Sequence, residues 1–344
     1  AGGLAATLGT VLLETNRMGG LAVSVLVFAL IGVGTGAAGT SLLALLATAT
    51  APERRAAAAT ITWLMMIFGI AATAGIVGAL LDPYSHARLV RIVALVAAST
   101  VVVSALAMWG VERGLTGLPT REDRPAPFLE AFAEIWAEAR ARRFAIFVFL
   151  SMTAYFMQEL ILEPFAGHVF GFTPGQSTSM AGLQNGGVFL GMLTVGIAAS
   201  GLRIGSLKMW TVAGCIGSAA ALVSIGLAGL VGPPAPLLPL VFALGVFNGV
   251  FAVAAIGSMM QLAGEGRTGR EGTRMGLWGA AQAIAAGFGG FVGAAAVDVM
   301  RRVAATPAEA YGSVFIAEAA LFVGAALLAM RVVSRPQPQM IAGE

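Results

Sequence analysis

The chain has 344 residues, of which 58% are hydrophobic and only 11% are charged, with a formal net charge of +3. Soluble domains carry about 25% charged residues, so this composition excludes a soluble globular protein and indicates an integral membrane protein. The small positive excess is explained by membrane topology and does not call for a nucleic-acid partner. The single cysteine, Cys215, lies in an apolar segment and excludes an intrachain disulfide.

Apolar stretches of roughly 20 residues recur along the chain, separated by short charged or Pro/Gly-rich loops. This length is typical of membrane-spanning helices and is not the weak alternation of barrel strands. We therefore predict an all-α membrane protein with ten hydrophobic segments: 1–14, 20–49, 56–81, 88–111, 144–163, 177–200, 206–231, 236–262, 273–297 and 309–331.

The basic residues are concentrated in alternate loops, which predicts an orientation. Fifteen of the 20 lysines and arginines fall in one set of loops and the tail: Arg54, Arg55, Arg113, Arg121, Arg124, Arg140, Arg142, Arg143, Arg203, Lys208, Arg267, Arg270, Arg274, Arg331 and Arg335. The positive-inside rule places these loops and the C-terminus in the cytoplasm. Four of these arginines are expected to anchor the topology, with gating of helix motion as the alternative: Arg54, Arg55, Arg270 and Arg274.

Two parts of the sequence repeat each other. VFAL at 27–30 recurs at 241–244, each copy opens a Gly-rich helix that ends at a basic loop, and a tryptophan follows an arginine by eight positions after both loops. This order predicts a duplicated bundle of the major facilitator type, with two six-helix halves. The offset of the repeat predicts that about ten of twelve transmembrane helices are present and that the chain begins inside the third.

The predicted domains follow from this repeat. They are an N-terminal bundle (1–111), a cytoplasmic linker with an amphipathic helix (112–143), a C-terminal six-helix bundle (144–333) and a cytoplasmic tail (334–344). The linker helix is expected to lie on the membrane surface as a solvated hinge, with docking of a partner as the alternative.

Polar side chains gather near one end of the fifth segment, in MQELILEPFAGHVFGF at 157–172. Polar groups at membrane depth are costly, so we predict a binding site built from this stretch and from amides on neighbouring helices. Its candidate residues are Gln158, Glu159, Glu163, His168, Gln184, Asn185, Asn248 and Gln282. The alternative is that Glu163 and Pro164 end a helix at the interface while the amides lock helices together. Glu318 has no evident partner, and an outward-facing helix would bring it against another membrane protein.

The stretch QELILEPFAGHVFG resembles a Q-D/E-x-L-L-E-P motif of the PucC family, a family of phototrophic bacteria that is related to the major facilitator proteins. FNGVFAVAAIGSMMQLA with GLWGAAQAIAAGFGG resembles that family's tenth and eleventh helices, and GTGAAGTSLLALLATATAPERRAAAATITWLMM resembles its fourth and fifth. The similarity covers essentially the whole chain. Glu159 stands where many members have aspartate.

This resemblance implies an assembly factor for photosynthetic antenna complexes that handles bacteriochlorophyll or delivers it to light-harvesting polypeptides. The implied ligand is bacteriochlorophyll or a precursor, bound transiently. The implied partners are antenna polypeptides, pigment-synthesis enzymes and the reaction-centre core, in a bacterial inner or photosynthetic membrane. We expect no resident metal and no nucleic-acid partner.

Two rival functions use the same residues differently. A proton-coupled secondary transporter of a small apolar or amphipathic solute would use Glu159 as a protonatable group in its cavity. A prenyl-transferring enzyme would need clustered aspartates to hold a magnesium diphosphate, and this sequence has only Asp82, Asp123 and Asp298, far apart. We therefore expect no enzymatic activity.

Overall fold

Every regular element of the chain is a helix in the residues that the computed structural model describes, which are 2–50, 55–110, 136–202, 204–264 and 271–332. The α-helices are α1 (Gly2–Thr15), α2 (Arg17–Ala49), α3 (Arg55–Leu81), α4 (His86–Met108), α5 (Ala139–Phe170), α6 (Pro174–Val195), α7 (Leu207–Val231), α8 (Leu237–Gly264), α9 (Glu271–Met300) and α10 (Pro307–Val332). A short π-helix, Gly196–Gly201, continues α6.

Nine of these helices, α2 to α10, are long and apolar enough to cross a membrane, counted over the described residues. The helix α1 is shorter. This confirms the predicted all-α membrane class, and nine of the ten predicted segments match an observed helix within a few residues.

The helix ends follow local sequence rules. Thr173 caps α6 in a complete capping box: Gln176 N–H donates to Thr173 Oγ1 at 3.2 Å, and Thr173 N–H donates to Gln176 Oε1 at 2.9 Å. Thr306 and Pro307 begin α10 in the same way, since Glu309 N–H donates to Thr306 Oγ1 at 3.2 Å. These caps fix the residues at which α6 and α10 begin.

The predicted end of the fifth segment at Glu163 and Pro164 is wrong. The helix α5 continues through Pro164 to Phe170 and stops at Gly171, whose φ of 72° is left-handed. Proline removes one backbone hydrogen bond, but surrounding helices can stabilise it inside a membrane helix. Glycine tolerates the left-handed turn without steric cost, so Gly171 ends the helix.

The described chain separates into two compact units. Of the described residues, the first comprises 2–50, 55–66, 76–110 and 173–176, and the second comprises 67–75, 136–172, 177–202, 204–264 and 271–332. Within the second unit α10 packs on α5 and α7, α7 packs on α8, and α5 packs on α9. Aromatic rings join these helices, with Phe165 of α5 at 5.1 Å from Phe315 of α10 between ring centroids.

The helices α6 and α8 of the second unit contact each other through glycine. A Cβ atom at Gly187 or Gly191 would overlap a backbone carbonyl of α8, and a Cβ at Gly245 or Gly249 would overlap one of α6. Small residues allow this close approach, which places the two backbones in direct contact.

Several predictions fall outside the described residues. These include the amphipathic linker helix within 112–135 and the side chains of the four predicted anchor arginines, Arg54, Arg55, Arg270 and Arg274. The helix α5 begins at Ala139, inside the stretch assigned to the linker.

Candidate functional site

The Phe170 end of α5 carries a set of paired polar side chains, which we call the terminal cluster: Glu163, His168, Ser177 and Tyr311. Glu163 is half-buried, and its Oε2 accepts a hydrogen bond from Ser177 Oγ at 3.3 Å. His168 is exposed, and its Nδ1 lies 2.9 Å from the Tyr311 hydroxyl. The cluster therefore joins α5 to the beginnings of α6 and α10.

The imidazole of His168 has one ring nitrogen held and the other available. Tyr311 occupies Nδ1, while Nε2 makes no hydrogen bond with the described residues. A partner on one ring nitrogen fixes the orientation of the ring, which is the usual arrangement of a histidine that ligates a metal through the other. In the tautomer whose Nδ1–H donates to the Tyr311 hydroxyl, Nε2 carries the lone pair that a metal ion requires.

The imidazole of His168 lies beside an aromatic cluster, with its centroid 6.0 Å from that of Tyr311. The centroid of Phe165 lies 5.5 Å from that of Phe170 and 5.6 Å from that of Tyr311, and Phe170 lies 6.3 Å from Phe172. Phe165 and Tyr311 are buried, whereas Phe170 and Phe172 are partly exposed and can provide flat apolar contacts for an aromatic ligand.

Two predicted site residues, Gln158 and Asn248, lie away from this end in the interior of the second unit. Both side chains are fully buried. Asn248 Oδ1 accepts a hydrogen bond from Ser218 Oγ at 2.8 Å. The amide of Gln158 has no partner on either atom among the described residues.

Glu159 follows Gln158 directly but is exposed. Successive helix residues are about 100° apart, so α5 turns the carboxylate out of the interior while Gln158 points into it. The structure does not bring Glu159 together with the buried amides, which removes the basis for an interior cavity around this carboxylate.

The remaining predicted residues are dispersed. The backbone carbonyl of Gln184 lies against Gly245, about one helical turn from Asn248 in depth. Asn185 Nδ2 donates to Ala181 O of its own helix at 2.9 Å. A Cβ at Gly293 would meet Met157 O at 2.7 Å, and this register of α9 on α5 places Gln282 about 18 Å from Gln158 along the helix axis. The expectation that Gln282 joins the cluster is wrong.

An open apolar groove of about 470 Å³ lies between α9 and α10 in the second unit. Its lining includes Met157, Phe291, Val299, Val314 and Ala317. The groove offers hydrocarbon contacts only, since Ser313, which also lines it, donates its hydroxyl to Ala310 O. No group of three or more His, Cys, Asp or Glu that could hold a metal ion occurs in the described part of the chain.

These features define a multi-pass helical membrane protein with paired polar groups at one helix end and unpaired ones in its interior. The chain belongs to the PUCC protein family, whose family model matches residues 5–337. This confirms the resemblance seen in QELILEP and the Gly-rich helices.

Three relatives share most of its length. The "Bacteriochlorophyll synthase 44.5 kDa chain" of Rhodobacter capsulatus is 62% identical over 94% of this chain and 76% of its own length. An "Uncharacterized protein in puhA-bchM intergenic region" of the same organism is 30% identical over 86% of this chain and 62% of its own length. "Protein PucC" of Rhodobacter capsulatus is 28% identical over 94% of this chain and 70% of its own length.

Sequence reasoning missed the partners that organise these sites. Tyr311, Ser177 and Ser218 give no signal in the sequence, because each lies in a helix whose contacts are known only from the packing. Glu318 was visible as a charge without an evident partner, and the suggestion that it contacts another membrane protein is wrong, because its side chain is fully buried.

Proposed function

We propose that this protein is an assembly factor for photosynthetic antenna complexes that handles bacteriochlorophyll, or a precursor, and delivers it to light-harvesting polypeptides in the membrane. The observation that carries this proposal is membership of the PUCC protein family together with 62% identity to a protein named as a bacteriochlorophyll synthase chain. Enzymatic synthesis is not part of the proposal, since the carboxylates of the sequence are dispersed.

The terminal cluster provides the contact for the pigment. The central magnesium of a chlorin accepts a nitrogen or oxygen ligand, and His168 Nε2 is available for this role while Tyr311 holds Nδ1. The partly exposed rings of Phe170 and Phe172 supply contacts for the flat macrocycle. The apolar groove between α9 and α10 suits a hydrocarbon tail.

Further features of the proposal concern architecture and location. We place the chain in a bacterial inner or intracytoplasmic photosynthetic membrane with its C-terminus in the cytoplasm, in a major facilitator fold of two six-helix halves. The expected partners are antenna polypeptides, pigment-synthesis enzymes and the reaction-centre core.

The test is pigment co-purification from a host that makes bacteriochlorophyll, in mild detergent, followed by absorption spectroscopy and extraction. We expect pigment at a fixed ratio to the wild-type protein and a loss of most of it in His168→Ala. The matched control is His86→Ala, because His86 Nδ1 also lies near a tyrosine hydroxyl, at 3.3 Å from Tyr84. His86→Ala is expected to retain the pigment.

A wild-type protein that is colourless while pigment is plentiful would overturn the carrier proposal. Equal pigment in the wild type and in His168→Ala would rule out His168 as the ligand. The variants Glu159→Ala and Glu163→Ala then test the two carboxylates on the same helix.

A further inference from the structure

A layer of polar side chains crosses the interior of the second unit. Its members come from four different helices, and we call them the buried polar layer: Gln158 of α5, Ser218 of α7, Asn248 of α8 and Glu318 of α10. All four side chains have zero exposure. This layer is separate from the terminal cluster, where the pigment proposal lies.

The register of α5 and α10 brings Gln158 and Glu318 to the same depth. The ring of Phe165 packs between Tyr311 and Phe315, at 5.6 and 5.1 Å between centroids. Gln158 precedes Phe165 by seven residues, about 10.5 Å along α5, and Glu318 follows Tyr311 by seven residues, about 10.5 Å along α10. Because α5 and α10 are antiparallel, both steps run in the same direction and end at the same depth. At the other end, Leu150 lies 3.4 Å from a Cβ placed on Gly324, which gives the same register.

The two side chains also lie on facing sides of their helices. Residues seven apart share a helix face, so Gln158 lies on the face of Phe165 and Glu318 lies on the face of Tyr311. Because Phe165 and Tyr311 contact each other, Gln158 and Glu318 point toward the interface between α5 and α10.

The helix α7 adds Ser218 to this depth. A Cβ on Gly226 would lie 3.4 Å from Gly312 Cα, so these two glycines mark a common depth on α7 and α10. Ser218 lies about 12 Å from Gly226 along α7, and Glu318 lies about 9 Å from Gly312 along α10. Because the two helices are antiparallel, both distances run in the same direction and bring the two side chains to nearly the same depth. Ser218 Oγ then donates to Asn248 Oδ1 at 2.8 Å, which places Asn248 of α8 in the layer as well.

Five polar atoms of the layer lack a hydrogen-bond partner among the described residues: Gln158 Oε1, Gln158 Nε2, Asn248 Nδ2, Glu318 Oε1 and Glu318 Oε2. Buried polar groups are almost always satisfied, and exceptions in membrane interiors mark functional sites. The unpartnered oxygens belong to a carboxyl group and an amide, which are ligands that hard cations prefer.

No cationic side chain is positioned to compensate Glu318 within the described helices of the second unit. Lys208 lies ten residues before Ser218, about 15 Å along α7, and Arg331 lies about 20 Å from Glu318 along α10. A single positive charge would therefore neutralise the site, whereas a divalent ion would leave a net charge in the membrane interior.

We propose that the buried polar layer binds one monovalent cation, either a sodium ion or a proton carried on Glu318, and that this cation holds α10 against α5, α7 and α8. The site is distinct from the pigment surface. The bundle would then bind a cation in its interior in addition to the pigment at its surface.

The test measures thermal unfolding of the full chain in detergent, produced in a host without bacteriochlorophyll so that pigment cannot contribute. Sodium replaces choline at constant ionic strength and constant pH. A bound ion stabilises the native state, so the wild-type midpoint is expected to rise by roughly 2–4 °C at saturating sodium. Glu318→Gln, which keeps the shape and removes the charge, should not respond.

Glu309→Gln is the matched control, because Glu309 is an exposed carboxylate on the same helix. Its response to sodium should equal that of the wild type. A second variant, Gln158→Met, retains Glu318 but removes an amide oxygen, and it should need about tenfold more sodium for the same rise. Should Glu318→Gln fail to fold, Gln158→Met carries the test.

A second arm in choline alone distinguishes the proton from sodium. If the native state binds a proton on Glu318, the wild type loses stability relative to Glu318→Gln as the pH rises. Three other titratable side chains lie within about one turn of this depth: Tyr155 and Glu159 of α5 and Cys215 of α7. Among the described residues, α6, α8 and the 67–75 stretch of α3 contribute no titratable side chain, and Asp298 of α9 is exposed. The comparison with Glu318→Gln cancels the contribution of these other groups.

A sodium response that disappears in Glu318→Gln establishes a metal-ion site, and a pH response that disappears there establishes a proton site. A wild type that responds to neither, or that responds just as Glu318→Gln does, overturns the proposal. An unchanged sodium or proton affinity in Gln158→Met contradicts the assignment of Gln158 to the site.

Discussion

The terminal cluster and the buried polar layer use similar side chains in opposite ways. In the terminal cluster, Glu163 has Ser177 and His168 has Tyr311 as hydrogen-bond partners, at the end of the membrane-spanning part of α5. In the layer, Gln158 and Glu318 are buried without partners in the described chain. Polar groups that have hydrogen-bond partners are inexpensive, whereas those that are buried without partners reduce stability and are retained for another reason.

The largest effect is expected from forcing α6 away from α8, the helix that carries Asn248 of the layer. In Gly187→Ala, the new methyl group would overlap Phe242 O of α8, and a backbone atom cannot move aside as a side chain can. We expect a loss of about 2–3 kcal/mol in the free energy of unfolding, measured by denaturant titration in detergent. The layer should lose its response to cations because Asn248 of α8 is displaced, whereas pigment should be retained because its proposed ligand, His168, lies on α5.

The neighbouring residue provides the control. A Cβ on Gly186 meets nothing within 4 Å, and alanine is the better helix former. Gly186→Ala should therefore unfold at the same or a slightly higher denaturant concentration. Equal destabilisation of both variants would contradict the close contact between α6 and α8.

Removing the one hydrogen bond inside the layer should have an intermediate effect. Ser218→Ala leaves the buried Asn248 Oδ1 without its donor, which costs about 1–3 kcal/mol. Ser224→Ala on the same helix removes a hydroxyl that bonds only to Ala220 O and is exposed, so its unfolding free energy should stay within about 0.5 kcal/mol of the wild type. If Ser218→Ala left the unfolding free energy unchanged, Asn248 Oδ1 would have to accept a hydrogen bond from another donor.

The smallest effect is expected in the terminal cluster. Tyr311→Phe removes the hydroxyl next to His168 Nδ1 but keeps the ring that packs on Phe165, so we expect a loss of about 0.5–1.5 kcal/mol. The freed imidazole should also bind pigment less tightly, because its orientation is no longer fixed. Ser313→Ala, on the same helix with an internal hydrogen bond, should change neither quantity. A larger loss of unfolding free energy in Tyr311→Phe than in Ser218→Ala would contradict the expectation that hydrogen bonds in the layer matter more for stability than those in the terminal cluster.

The sequence predicted the helices well because a membrane-spanning segment is defined by its own composition. It failed at Pro164, where the stop depends on Gly171 and on neighbouring helices that tolerate a proline. It placed Gln158 and Asn248 among the candidate residues from their polarity alone. It could not separate Gln158 from Glu159, or place Glu318 inside, because which side of a helix faces its neighbours depends on contacts between distant segments.

The glycine contact between α6 and α8 has a consequence for motion. Two backbones that touch directly have no flexible side chains between them to absorb sliding, so α6 and α8 are expected to move as one rigid body. The contact between α10 and α5, by contrast, is joined by aromatic rings that can change rotamer. If the bundle changes conformation during function, we expect α10 to move relative to α5, while α6 and α8 stay fixed relative to each other.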